Sequence, residues 1–127
     1  MRFMMIVKGD ENFGSAGPPP QALMAAIDKL MADTAKTPGK MVSTGGLQHT
    51  SKGAKVLLRN GKLSVVDGPF SESKEVIGGF AIMDLASKEE AIAESKKFMD
   101  LHRLHWPAWN GESEIREMME GPPDFTK

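Results

Sequence analysis

The 127-residue sequence predicts an α+β fold, a ferredoxin-like arrangement of strands and two helices with an inserted β-hairpin. Three observations predict it. Hydrophobic periodicity changes along the chain in the order β-α-β-β-β-β-α-β. An Asn60-Gly61 pair divides two apolar runs of equal length, the strongest short-range signal for a hairpin. The first and fifth strands are apolar on both faces, as expected for central strands of a sheet covered on both sides.

Phe3 to Val7 is a continuous apolar run that stops at Lys8-Gly9-Asp10, which suits a buried strand. Asn12 to Pro20 is loop-like, and its three consecutive prolines pre-set the chain for a helix start. From Gln21 to about Lys36, the residues Leu23, Ile27, Leu30 and Met31 recur at i, i+4, i+7 and i+8, an amphipathic helix ended by Pro38-Gly39. Met41 to Leu47 reads as a strand with a bulge expected at Gly45-Gly46. Ala54 to Arg59 and Lys62 to Asp67 flank the type I′ turn, so Leu58 should face Leu63 and Val56 should face Val65. Gly79 to Leu85 is the next strand.

Ser87-Lys88-Glu89-Glu90 is a capping box that starts a second helix, with Ala91, Ile92, Ser95, Phe98 and Met99 as its inner face. That helix should run to about His102 and end by Pro107. Glu114 to Met119 reads as the last strand, and a short tail begins at Gly121. One domain accounts for residues 1–127.

Two helices cover only one face of such a sheet. The first strand presents Phe3, Met5 and Val7 on one side and Met4 and Ile6 on the other; the fifth presents Phe80 and Ile82 against Ala81 and Met83. The second apolar face needs a cover, and a second copy of the chain is the simplest one, so a homodimer packed sheet on sheet is expected.

Composition narrows the function. The absence of cysteine excludes a disulfide framework, a thiolate metal site and a cysteine nucleophile. A formal net charge of -1, spread without long single-sign blocks, argues against nucleic acid and acidic membrane surfaces as partners. The opening MRFMMIVKGD is too short in apolar residues for a signal region or a span, so a soluble cytoplasmic protein is expected. Neither a phosphate-binding glycine loop nor a nucleophile elbow occurs, and no residue pattern calls for a cofactor.

The stretch VVDGPFSESKEVIGGF, Val65 to Phe80, packs unusual charge between two apolar strands. Asp67 before Gly68-Pro69 suits a turn, because its carboxylate accepts backbone N–H groups two residues on; Ser71, Glu72 and Ser73 suit a solvated loop. The cluster Asp67, Glu72, Lys74 and Glu75 also suits a proton-transfer site or polar clamp, since a lysine between carboxylates keeps one ionised while burial raises another.

The same stretch, Asp67-Gly68-Pro69-Phe70-Ser71-Glu72-Ser73-Lys74-Glu75-Val76-Ile77-Gly78-Gly79-Phe80, resembles the hallmark of the DGPF proteins of the YCII-related superfamily. The likeness extends over nearly the whole chain, through MRFMMIVKGD, GGLQHTSKGAKVLLRNGKLSVVDGPF, SKEEAI and GESEIREM. It implies a ferredoxin-like fold forming a dimeric α/β barrel, with a pocket near the DGPF segment at or close to the dimer cleft. It does not imply a reaction. Some relatives look like companions of extracytoplasmic-function sigma factors, which makes a sigma factor an implied protein partner. A His–Asp pair has been suggested as the catalytic centre of the wider superfamily; Asp67 fits the DGPF aspartate, but no histidine lies inside the hallmark here.

His49, in LQHT, could face the Asp67 segment and complete an acid/base pair, or be an exposed loop histidine. His102 and His105 form an i, i+3 pair that lacks the further ligands of strong zinc motifs and also suits a helix C-terminus, so no metal site is assigned. Trp106 and Trp109, in HWPAWNGE, could stack a flat ligand or plug a barrel end. The expected function is therefore a small-molecule-binding or acid/base catalytic dimer. Asp67, Lys74, Glu75 and His49 are its candidate catalytic groups, and Gly68, Pro69, Phe70, Glu72, Arg116, Trp106 and Trp109 its candidate ligand contacts. The alternative is a non-enzymatic accessory protein associated with a sigma factor.

Overall fold

The computed structural model describes residues 1–10, 16–70 and 76–120. The chain runs β1 (Arg2–Gly9), α1 (Gln21–Ala35), β2 (Met41–Gly46), a single 3₁₀ turn (Thr50–Lys52), β3 (Ala54–Arg59), β4 (Lys62–Asp67), β5 (Val76–Asp84), α2 (Lys88–His105) and β6 (Gly111–Glu117). Four strands make one antiparallel sheet in the order β2-β5-β1-β6, and β3 and β4 form a separate two-stranded sheet among the described residues. Without that hairpin the order is β-α-β-β-α-β with β1 and β5 central, the ferredoxin-like topology expected from the sequence.

Register assigns the faces. Phe3 pairs with Met83, and Met5 pairs with Ala81 on one side and Ile115 on the other. These side chains point toward the helices and, with Leu85 and Ala91, form the core. Burying apolar side chains of this size contributes about 1.5–3 kcal/mol each. The alternate residues pair as Met4 with Ile82 and Ile6 with Phe80, on the face away from the helices, and all four are half-buried.

Helix α2 begins at Ser87, whose Oγ accepts the Glu90 backbone N–H at 3.2 Å. The Glu90 carboxylate reaches back one residue further than a capping box requires and accepts the Ala86 N–H at 2.9 Å. The helix continues to His105, three residues past its expected end, because nothing before Pro107 denies it a backbone donor. Its buried residues are Ala91, Glu94, Ser95 and His102. Helix α1 has Pro20 at its N-cap with no side-chain cap, and buries only Leu23 and Thr34. Among the described residues no helix is long and apolar enough to cross a membrane.

The hairpin follows its turn chemistry. Asn60 and Gly61 have φ of 52° and 76°, and Leu58 pairs with Leu63 and Val56 with Val65. The Gly45-Gly46 pair differs from expectation. The irregularity in β2 lies between Met41 and Ser43, not at Gly45-Gly46. Gly45-Gly46 instead serves a close strand approach: a Cβ on Gly79 would lie 2.9 Å from the Gly45 carbonyl oxygen, and one on Gly45 3.4 Å from the Phe80 ring. Strand β5 starts at Val76 and β6 at Gly111, each three residues earlier than the periodicity indicates.

Candidate functional site

A cavity of about 950 Å³ lies between α1 and the helix-facing side of the sheet. Ile27, Leu30 and Met31 of α1 form its roof, and Met5 and Met41 part of its floor. The stripe that makes α1 amphipathic therefore faces a cavity over most of its length. Leu23, 1% exposed, anchors the first turn.

One end of the cavity is a column of rings. Phe98, His102 and Trp106 follow one another at i, i+4 and i+8, so α2 stacks them on one face. Trp109 folds back onto them: its centroid is 4.7 Å from that of His102 and 5.6 Å from that of Trp106, the two indoles being within 13° of parallel. Phe98 closes on His102 at 4.8 Å. Two glycines make room for this arrangement. Gly9 and Gly111 pair across β1 and β6, and a Cβ on Gly111 would overlap the Trp109 ring. The Trp106 indole N–H donates to the Ala16 carbonyl at 3.2 Å and ties the column to the segment before α1.

His102 is buried, and its Nδ1 lies 3.0 Å from the Phe98 carbonyl oxygen. A carbonyl only accepts, so Nδ1 carries the proton and Nε2 presents a lone pair. Burial, opposed by the hydrogen bond to Phe98, holds the imidazolium pKa below its ordinary value of 6.5. The ring is thus a neutral acceptor in the cavity wall.

Charge in the lining is paired. Glu94 accepts from Lys40 at 2.8 Å and from Lys97 at 3.1 Å. Burial alone would raise its carboxyl, and the two lysines together outweigh that and lower it. Lys8 donates to Glu114 at 2.7 Å, which with a weaker bond from Arg116 at 3.2 Å holds Glu114 below the usual carboxylate range. Ser95 and Ser113 face each other at 3.3 Å.

The DGPF segment is built as a turn against a turn. The His49 imidazole caps the 3₁₀ turn by accepting the Ser51 N–H at 3.1 Å. Gly68 donates its N–H to the Gly53 carbonyl at 2.9 Å, and Phe70 donates its own to Thr50 Oγ1 at 3.1 Å. Only glycine fits at position 68, because a Cβ would overlap the Thr50 carbonyl. The Gly68–Pro69 peptide is cis. Lys55 Nζ lies 4.4 Å from the Phe70 ring centroid, a cation–π contact that pins the ring beside the hairpin.

Of the residues expected to form the site, Asp67, Gly68, Pro69 and Phe70 are thus brought beside the turn that His49 caps, and His49 itself lines the cavity. Asp67 is exposed at the end of β4, opposite Ala54. Glu72, Lys74 and Glu75 lie outside the described residues. Trp106 and Trp109 line the cavity as part of the ring column, and Arg116 is exposed on β6 across from Met4. Sequence reasoning passes over His102 and Glu94 as site residues. The i, i+4, i+8 series Phe98, His102, Trp106 was the legible signal for the first; Glu94 carried none, because its lysine partner Lys40 is 54 residues away.

Residues 1–98 match the profile of the YCII-related domain. A 54-residue segment, 42% of the chain, is 39% identical to an uncharacterized protein of Rhizobium meliloti and spans 44% of that protein's length. A solved structure of 5-chloro-2-hydroxyhydroquinone dehydrochlorinase from Burkholderia phenoliruptrix, in complex with 2,5-dihydroxybenzoquinone, aligns over 95% of this chain and 96% of its own at 17% identity and a TM-score of 0.45. On the match that covers most of its length, the chain belongs to the YCII-related family.

Proposed function

We propose that this protein binds a small, largely apolar molecule in the cavity between α1 and the sheet, and that it works as a homodimer. The observation that carries the first part is the cavity itself: about 950 Å³, roofed by aliphatic side chains and ended by a column of four rings, with its lining charges Glu94 and Lys8 already ion-paired. Such a space favours apolar and aromatic ligands, which gain by leaving water and lose nothing to unpaired charge. Acid/base chemistry at Asp67, Lys74, Glu75 and His49 belongs to this reading, since His49 lines the cavity and caps the turn on which Gly68 and Phe70 rest.

The second part is supported by two apolar surfaces. Met4, Ile6, Phe80 and Ile82 cover the sheet face away from the helices. On the hairpin, Val56, Leu58, Leu63 and Val65 share one face and are 70, 69, 73 and 67% exposed. Contiguous apolar area of this kind marks an interface, and a second copy would complete the dimeric barrel. An accessory role with a sigma factor draws on the same hairpin face.

The test uses N-phenyl-1-naphthylamine, a neutral probe whose emission rises in an apolar site. One probe per chain should bind, and Ile27→Trp, which narrows the cavity from α1, should weaken the signal while sedimentation continues to report a dimer. Emission that does not rise, or that Ile27→Trp leaves unchanged, overturns the cavity as the binding site; a monomer at every concentration overturns the dimer.

A further inference from the structure

We propose that the cavity selects uncharged, planar aromatic ligands bearing a hydroxyl donor, a phenol-like class, and that His102 Nε2 is the group that receives the hydroxyl. The inference rests on the cavity being the binding site and goes on to the chemistry of what enters it.

The argument is one of elimination among the polar groups beside the ring column. Trp106 spends its indole N–H on the Ala16 carbonyl. The Trp109 indole nitrogen, directed toward Gly9, is a donor and cannot accept a hydroxyl proton. Glu94 is held by two lysines, and Lys8 by Glu114. Ser95 and Ser113 are within reach of each other. His102 differs. Its Nδ1–H is fixed on the Phe98 carbonyl, so Nε2 is an acceptor by necessity. Among the described residues no buried side-chain nitrogen or oxygen is sealed off without a partner, so Nε2, which has none in its own chain, keeps access to the space it lines.

Shape and charge then define the ligand. The Trp106–Trp109 pair, within 13° of parallel, favours a flat partner that can continue the stack. An acceptor with no neighbouring free cation rewards an O–H group and disfavours a carboxylate, whose oxygens the Nε2 lone pair repels. A neutral aromatic hydroxyl satisfies all three conditions.

Three naphthalenes of matched size separate the possibilities, with the emission of Trp106 and Trp109, the only two tryptophans of the chain, as the reporter. Near neutral pH, 2-naphthol should bind about three- to tenfold more tightly than 2-methoxynaphthalene, the worth of one net hydrogen bond, and 2-naphthoate should bind least. The preference for the hydroxyl should vanish in His102→Phe and survive in part in His102→Gln, which keeps an acceptor near the Nε2 position. In the unsubstituted protein, long-range ¹H–¹⁵N spectra should show the His102 Nε2 resonance shifting with 2-naphthol and holding still with 2-methoxynaphthalene, a reading that does not depend on either variant folding. Equal affinity for the hydroxyl and methoxy compounds, a preference for the naphthoate, or an unmoved Nε2 resonance would each overturn the assignment while leaving the cavity as a binding site. Failure of all three compounds to bind would remove the cavity reading beneath it.

Discussion

Helices α1 and α2 lie on the same face of one sheet, yet they are seated differently. Helix α2 is capped by Ser87, buries Ala91 in the core and carries Glu94, Ser95 and His102 inward. Helix α1 touches bottom at Leu23 and Thr34, leaves Met24 48% exposed, and holds Ile27, Leu30 and Met31 over open space. Its apolar stripe is as regular as that of a packed helix. The difference teaches that amphipathic periodicity reports a face turned from bulk water, whether that face meets side chains or roofs a cavity.

Truncations along α1 sharpen the contrast. Leu23→Ala removes a fully buried side chain from the helix's anchored end and should cost about 2–5 kcal/mol, read as a lowered denaturation midpoint at fixed protein concentration. The intermediate effect belongs to α2. Because burial lowers the folded pKa of His102 below its ordinary 6.5, the unfolded chain takes up a proton before the folded one does. The contribution of His102 to stability is therefore complete above about pH 6.5 and declines as pH falls toward the folded value. Thermal midpoints at about pH 7.5 and about pH 5.5 should show this loss, and His102→Phe should reduce it; an unchanged pH difference in that variant would mean that the ring is not buried neutral. The smallest effect is expected at Met31→Ala, less than about 1 kcal/mol, since its side chain roofs a space that is already open. A loss there equal to that of Leu23→Ala would mean that α1 is packed like α2, and the comparison would fail.

How much was legible depended on how far each feature reaches along the chain. The hairpin was read to the residue, because Asn60-Gly61 sets both turn and register within fourteen positions, Ala54 to Asp67. The start of α2 was read from Ser87 and Glu90, three residues apart. The strand order followed from element order and short connections. The Gly45-Gly46 pair was seen but misassigned as a bulge: it permits close contact with Gly79 on β5, a strand reached only after the hairpin. His102 was read as a helix-end donor because its partners in the wall, above all Trp109 folded back over Gly9 and Gly111, are assembled from three separate segments.

The sequence by itself determined the elements, the hairpin register, the two apolar faces of β1 and β5, and the family through residues 1–98. Each of these is carried by local propensity, by periodicity, or by a motif that needs no knowledge of distance. Tertiary structure alone decided that α1 stands off the sheet, that a ring column closes the resulting space, and that His102 presents a neutral acceptor there. Those features depend on gaps between elements far apart in the chain, and a hydrophobic pattern records only which face is turned from bulk water.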